Sequence, residues 1–299
     1  MPGPRLKVGV FLQVLDLEGG QAIPVAELAA RAARAEALGF DSVWVMDHFF
    51  FEWQGRRVFA HDPMVQLAAM AATTSRIQLG PLVLGSPFRE PAQLAREAAS
   101  LQDLSRGRLI LGLGCGWYEP EFEAAGIPFD HLVGRFEKSL QRLVPMLRED
   151  GLTAGAAPPT WIAAGGPRML ALTARWADGW NLAWGGGDPA WYATAVEQLR
   201  AALRTAGRPE SAVTRSVGIS VLPLEDAEAG VALERARRFA RGPRDLNFVQ
   251  GGPRVVAAAI RGYAEAGAEH VILNLSSSPV APGDPAYLDG AAEALALVR

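Results

Sequence analysis

At 299 residues with 49% hydrophobic content, the chain is long enough to bury one large core, and a single domain over 1–299 is expected. A net charge of -3 without any Lys/Arg cluster excludes a phosphate-tracking surface for nucleic acid. One cysteine, Cys115, excludes an intrachain disulfide, and residues 1–12 carry no export signal, while no apolar run approaches the roughly 18 residues of a membrane span; a cytoplasmic protein is expected.

Short aliphatic runs alternate with amphipathic helical patterns along the whole chain, the pattern of parallel strands joined by crossover helices. The first predicted strand covers residues 7–12 and leads to a helix over 25–38 closed by Gly39. The second, 42–46, contains Val43-Trp44-Val45-Met46, continuously apolar as a strand covered on both faces must be. It runs into Asp47-His48-Phe49-Phe50, which puts a carboxylate and an imidazole at a strand end. Such a pair suits proton transfer near neutrality, and equally suits a capping Asp beside a partly exposed His.

A helix over 63–73 follows, with Asp62 as N-cap and Pro63 in the first turn. The third strand, 77–84, is interrupted by Gly80 and Pro81 and followed by Gly85, which suggests a bulge, a close backbone approach to a ligand, or a plain barrel irregularity. After a helix over 91–104 comes a strand over 109–113, and Gly112-Leu113-Gly114-Cys115-Gly116-Trp117 at its end offers an unsubstituted backbone able to approach a polyol or phosphate. It is not a dinucleotide fingerprint, because Trp117 stands where the third glycine belongs. A long connection, 114–133, separates this strand from a helix over 134–147.

The fifth strand, 160–163, leads into Gly165-Gly166-Pro167-Arg168 and a helix over 167–176, where free N–H groups favour an anion. Strands over 179–183, 216–222 and 270–275 complete the series, with helices over 189–205, 255–266 and 285–297; a second long connection spans 223–252. Gly251-Gly252-Pro253-Arg254 is either a second anion site or a helix start. Eight strand–helix units favour an α/β fold of the (β/α)₈ TIM-barrel type with insertions after strands 4 and 7. The four histidines, His48, His61, His131 and His270, show no i, i+4 pairing, so no metal is expected.

Taken together, the run from Leu38 to Phe49, the run from Arg76 to Pro91, and Ser105-Arg106-Gly107-Arg108-Leu109-Ile110-Leu111-Gly112-Leu113-Gly114-Cys115-Gly116-Trp117 resemble the bacterial luciferase-like monooxygenase superfamily. The resemblance implies a cofactor across the barrel mouth, its ring backed by a bulged third strand whose non-prolyl cis peptide maps onto Leu82-Val83. It further implies Asp47, Leu82, Val83 and Gly85 around the ring, Cys115 and Gly116 along the tail, and Gly165, Gly166, Arg168 and Met169 at the phosphate.

Asp47-His48 matches the pair of members that use coenzyme F420, in which the His exchanges a proton with substrate during hydride transfer. That implies F420 rather than FMN, with His48 catalytic and Phe49, Trp53 and Trp117 shaping a pocket for a small organic substrate. Members acting on sugar phosphates or simple alcohols carry a glutamate where Trp117 stands, so the acid–base partner is left open. An FMNH2-dependent monooxygenase and a non-catalytic cofactor-binding protein are the other readings. A homodimer is expected by analogy.

Overall fold

Strands apolar on both faces have to be covered on both, and a ring of parallel strands inside a ring of helices satisfies this. The computed structural model describes residues 5–148, 152–153, 155–223, 230, 234, 237, 247–275 and 285–299. Eight strands form that ring: β1 (Lys7–Phe11), β2 (Ser42–Val45), β3 (Gln78–Pro81, resuming at Leu84–Gly85), β4 (Leu111–Gly114), β5 (Thr160–Ala163), β6 (Gly179–Gly185), β7 (Thr214–Leu222) and β8 (His270–Asn274). All pair in parallel in chain order, and β8 returns to β1 with Lys7 opposite His270 and Phe11 opposite Asn274. The ring closes except at the step inside β3, where Leu79 bridges to Leu109 and the resumed piece sets Leu84 beside Leu113.

The covering helices are α1 (Val25–Ala37), α2 (Pro63–Thr73), α3 (Pro91–Leu104), α4 (Leu132–Arg148), α5 (Pro167–Trp176), α6 (Ala190–Thr205), α7 (Pro253–Glu265) and α8 (Pro285–Val298). Their inward stripes follow from the sequence: α1 buries Leu28, Ala32 and Ala35, one face of a 3.6-residue period. The expected cap of α2 forms, Asp62 accepting from the N–H groups of Met64 and Val65 behind Pro63. The features that escape the sequence reading include an antiparallel hairpin of Phe50–Trp53 with Arg56–Phe59, a smaller one of Leu15–Asp16 with Gln21–Ala22, a short helix, Glu119–Ala124, inside the first long connection, and a two-residue strand, Val249–Gln250, parallel to the end of β7. Most of the second long connection lies outside the described residues.

The step in β3 is where the ring departs from regularity, and the Leu82-Val83 peptide there is cis. A second non-prolyl cis peptide, Ala183-Trp184, has no counterpart in the sequence reading. Two glycines of β4 accommodate the step: a Cβ on Gly112 would lie 2.1 Å from the Pro81 carbonyl oxygen, and one on Gly114 2.7 Å from Val83 Cγ2. These glycines therefore serve strand-to-strand packing and not the ligand approach read from the sequence. Gly112→Ala is expected to destabilise the fold by roughly 1–3 kcal/mol, the range for overpacking, because the clash is with backbone that cannot rotate away. Urea unfolding of the variant checks this; an unchanged midpoint would contradict it.

Candidate active site

The C-terminal ends of the strands open onto a cavity of about 560 Å³, within the range of small-molecule sites. Met46, Asp47, His48 and Phe51 line it beyond β2, and Leu82 to Gly85 line it from the step in β3. Gly116, Trp117 and Glu121 come from the connection after β4, and Ala163 to Gly165 with Asn181 to Trp184 from the ends of β5 and β6. Phe11 of β1 meets the Trp184 ring edge-on at 5.0 Å.

Adjacent residues on an extended strand point oppositely, so Asp47 and His48 can share a site only where the chain turns. It does turn here, and the two side chains take separate partners at one cavity wall. Asp47 Oδ2 accepts the Gly85 N–H at 2.9 Å, and Oδ1 lies 3.1 Å from Arg89 Nη2, which also contacts Asp62 Oδ2 at 3.1 Å. Burial pushes the Asp47 carboxyl up, against the pull of the Arg89 guanidinium and the Gly85 N–H. This clamp ties the end of β2 to the resumed piece of β3.

His48 Nδ1 lies 3.0 Å from Glu121 Oε2, and the other oxygen of that carboxylate accepts the Phe49 N–H. Glu121 is buried, its side chain only 3% exposed, so it serves as a fixed acceptor and not a solvated charge. The short helix that carries it packs closely because residue 116 is glycine. Gly116 has φ +79, and a Cβ there would fall 2.6 Å from the tip of the Phe122 ring. Around the imidazole stand Phe51 at 4.5 Å and Trp117 at 5.4 Å between ring centroids.

Of the residues singled out from the sequence, Asp47, His48, Leu82, Val83, Gly85, Gly116, Trp117 and Gly165 meet at this cavity. Gly166 caps the start of α5, and a Cβ there would touch nothing within 4 Å. Arg168 lies outside the cavity, 3.3 Å from Glu137, and Met169 is buried beneath α5. Cys115 packs against the core, where burial pushes its thiol up. Phe49 and Trp53 are not in the lining: the Phe49 ring packs at 4.6 Å against Phe88, which is, and Trp53 ends the first strand of the hairpin.

Sequence reasoning missed Glu121, Arg89, Phe51 and Trp184. Glu121 is 73 residues from its partner and belongs to no spaced motif; only the acidic start of a short helix marks it. Arg89 lies near the end of the stretch from Arg76 to Pro91 that carries the family resemblance.

Residues 6–270 match the model of the family described as luciferase-like monooxygenase. A protein of Kineococcus radiotolerans named F420-dependent glucose-6-phosphate dehydrogenase is 31% identical, the alignment covering 91% of this chain and 92% of that one. A phthiodiolone/phenolphthiodiolone dimycocerosates ketoreductase of Mycobacterium bovis is 32% identical over 62% of this chain and 59% of its own length. Among solved structures, an F420-dependent secondary alcohol dehydrogenase superposes with TM-score 0.79 at 19% identity, covering 99% of both chains. A long-chain alkane monooxygenase superposes with TM-score 0.75 at 14% identity, covering 99% of this chain and 92% of that one. These last two likenesses bear on the fold, which they share with the barrel described above. The chain belongs to the luciferase-like monooxygenase family.

Proposed function

We propose that the protein is a coenzyme F420-dependent oxidoreductase that moves a hydride to or from a small organic substrate, with His48 exchanging the accompanying proton. The observation that carries this is the His48–Glu121 pair at the cavity wall, read together with curated relatives named as F420-dependent dehydrogenases. A carboxylate only accepts, so Glu121 keeps a proton on Nδ1 and leaves Nε2 as the position that takes up or gives a proton.

The residues present fit the cofactor. Leu82, Val83, Leu182 and Ala183 give the cavity apolar walls for a flat ring. The unsubstituted Gly165 keeps one edge open; a Cβ there would stand 3.6 Å from Leu182 Cδ1, inside the lining. Gly165 and Gly166, ahead of the uncapped N–H groups of α5, would hold the phosphate, with Arg168 in the first turn adding positive charge outside. Cys115 and Gly116 would flank the tail. When bound, F420 supplies or accepts two electrons as a hydride, and its deazaflavin lacks the ring nitrogen that supports ready oxygen chemistry.

Anaerobic consumption of reduced F420 in the presence of an organic acceptor is the expected activity. Oxygen-dependent consumption of reduced FMN, with none of reduced F420, would contradict it. Glu121→Gln, which keeps an acceptor but removes the charge, is expected to lower turnover roughly tenfold or more and to shift the pH–rate profile, at unchanged F420 affinity. A wild-type profile in this variant would remove Glu121 from the mechanism.

We also assign the protein to the cytoplasm and to a homodimer. The lone Cys115 supports the first, together with the lack, among the described residues, of a helix long and apolar enough to cross a membrane. The dimer rests on the family resemblance, and sedimentation analysis tests it.

A further inference from the structure

Trp117 lines the cavity beside His48 yet is 60% exposed. A large apolar ring left open at the rim of a pocket is a surface to be covered by a bound molecule. Phe51 and Trp184, aromatic as well, line the same cavity.

The charges around the same space point the same way. Glu121 contributes a buried carboxylate on His48. Asp47 contributes a second, and the guanidinium beside it, Arg89, is shared between Asp47 and Asp62. A phosphate dianion placed there would be stripped of water next to carboxylates, and the cation beside them, Arg89, is already engaged.

We infer that Trp117 is the specificity-determining residue of the site, seating an uncharged substrate with an aryl or alkyl body that carries one carbonyl or secondary hydroxyl oxygen directed at His48. Phosphorylated sugars are excluded. The inference rests on the F420 reading above. In the reducing direction the carbonyl carbon gains a hydride and its electron pair from the reduced deazaflavin. The C=O π pair moves to oxygen, which takes the Nε2 proton of His48; a secondary alcohol and oxidised deazaflavin result, the deazaflavin's ring N–H proton passes to solvent, and solvent reprotonates His48.

Isothermal titration calorimetry of the intact protein, free and saturated with oxidised F420, tests this with benzylacetone and glucose 6-phosphate as probes. Benzylacetone is expected to bind, and Trp117→Ala to weaken it roughly tenfold or more, with Trp117→Phe recovering most of the loss. The F420 affinity of both variants should move less than about threefold, as expected of a side chain that meets the substrate and not the cofactor. Glucose 6-phosphate binding as tightly as benzylacetone, no binding of benzylacetone, or equal benzylacetone affinity in wild type and both variants would each overturn the inference. Failure of F420 to bind would instead sink the cofactor reading, while the benzylacetone titration of the free protein still judges Trp117.

Discussion

His48→Ala is expected to lower turnover about 10²-fold or more, the usual contribution of a positioned acid–base group, while F420 affinity stays within about threefold. The two readouts separate because the imidazole is held from behind by Glu121 at 3.0 Å, whereas the apolar walls offered to the cofactor come from β3 and β6. The substitution also leaves the Glu121 carboxylate, only 3% exposed, with the Phe49 N–H as its remaining described hydrogen-bond donor. A buried acceptor short of one partner costs roughly 1–3 kcal/mol, so some loss of stability should accompany the kinetic loss. His48→Gln, which restores a donor toward Glu121 without a titratable ring, separates the two effects. It should recover stability and not turnover. Turnover at the wild-type rate in either variant would take His48 out of the mechanism.

The second large effect concerns stability in acid. His270 begins β8 at the end of the barrel opposite the cavity, fully buried, with Nε2 2.7 Å from Ser42 Oγ. Ser42 Oγ in turn accepts the Trp44 indole N–H, and the rings of Trp44 and Trp161 stand edge-on to the imidazole. Nδ1 has no hydrogen-bond partner among the described residues, so a second ring proton would be stranded in the core. Burial, with a smaller contribution from Lys7, lowers the pKa from 6.5 to about 3. The unfolded chain therefore takes up a proton below about pH 6.5 that the folded protein refuses until about pH 3. Stability is full above that window and falls as the pH drops through it. Between pH 7 and pH 5 this one group should remove about 2 kcal/mol. Urea unfolding at the two pH values measures it, and His270→Gln, which keeps a hydrogen bond to Ser42 within reach, should flatten the dependence by that amount. The same slope in the variant and the wild type would show that His270 does not govern it.

The barrel was legible in the sequence because its strands are apolar on both faces. Val43-Trp44-Val45 and Val271-Ile272-Leu273 are fully buried in the ring, as that pattern demands. The interruption of β3 was legible as well, since Gly80 and Pro81 break an apolar run. What the neighbouring glycines do was not: Gly112 and Gly114 face β3, and only the pairing of strands reveals which backbone a Cβ would strike. The hairpin after His48 carried a local signal, Gln54-Gly55, both with positive φ at the turn. Reading Trp53 as a pocket residue passed over it, and Trp53, which ends the first strand of the hairpin, is not in the cavity lining. Glu121 was out of reach for a different reason. Its role depends on a helix that packs through Gly116 and Phe122 onto a strand end far away in sequence, and no spacing rule connects the two.

Equilibrium titration of the purified protein with oxidised and reduced F420 and FMN, followed by absorbance and fluorescence, tests whether the cavity is built for the deazaflavin. Saturable binding of F420 is expected at concentrations where FMN does not bind, weakened by Arg168→Ala and preserved in His48→Ala. Preferential binding of reduced FMN, with rapid oxygen uptake, would contradict it.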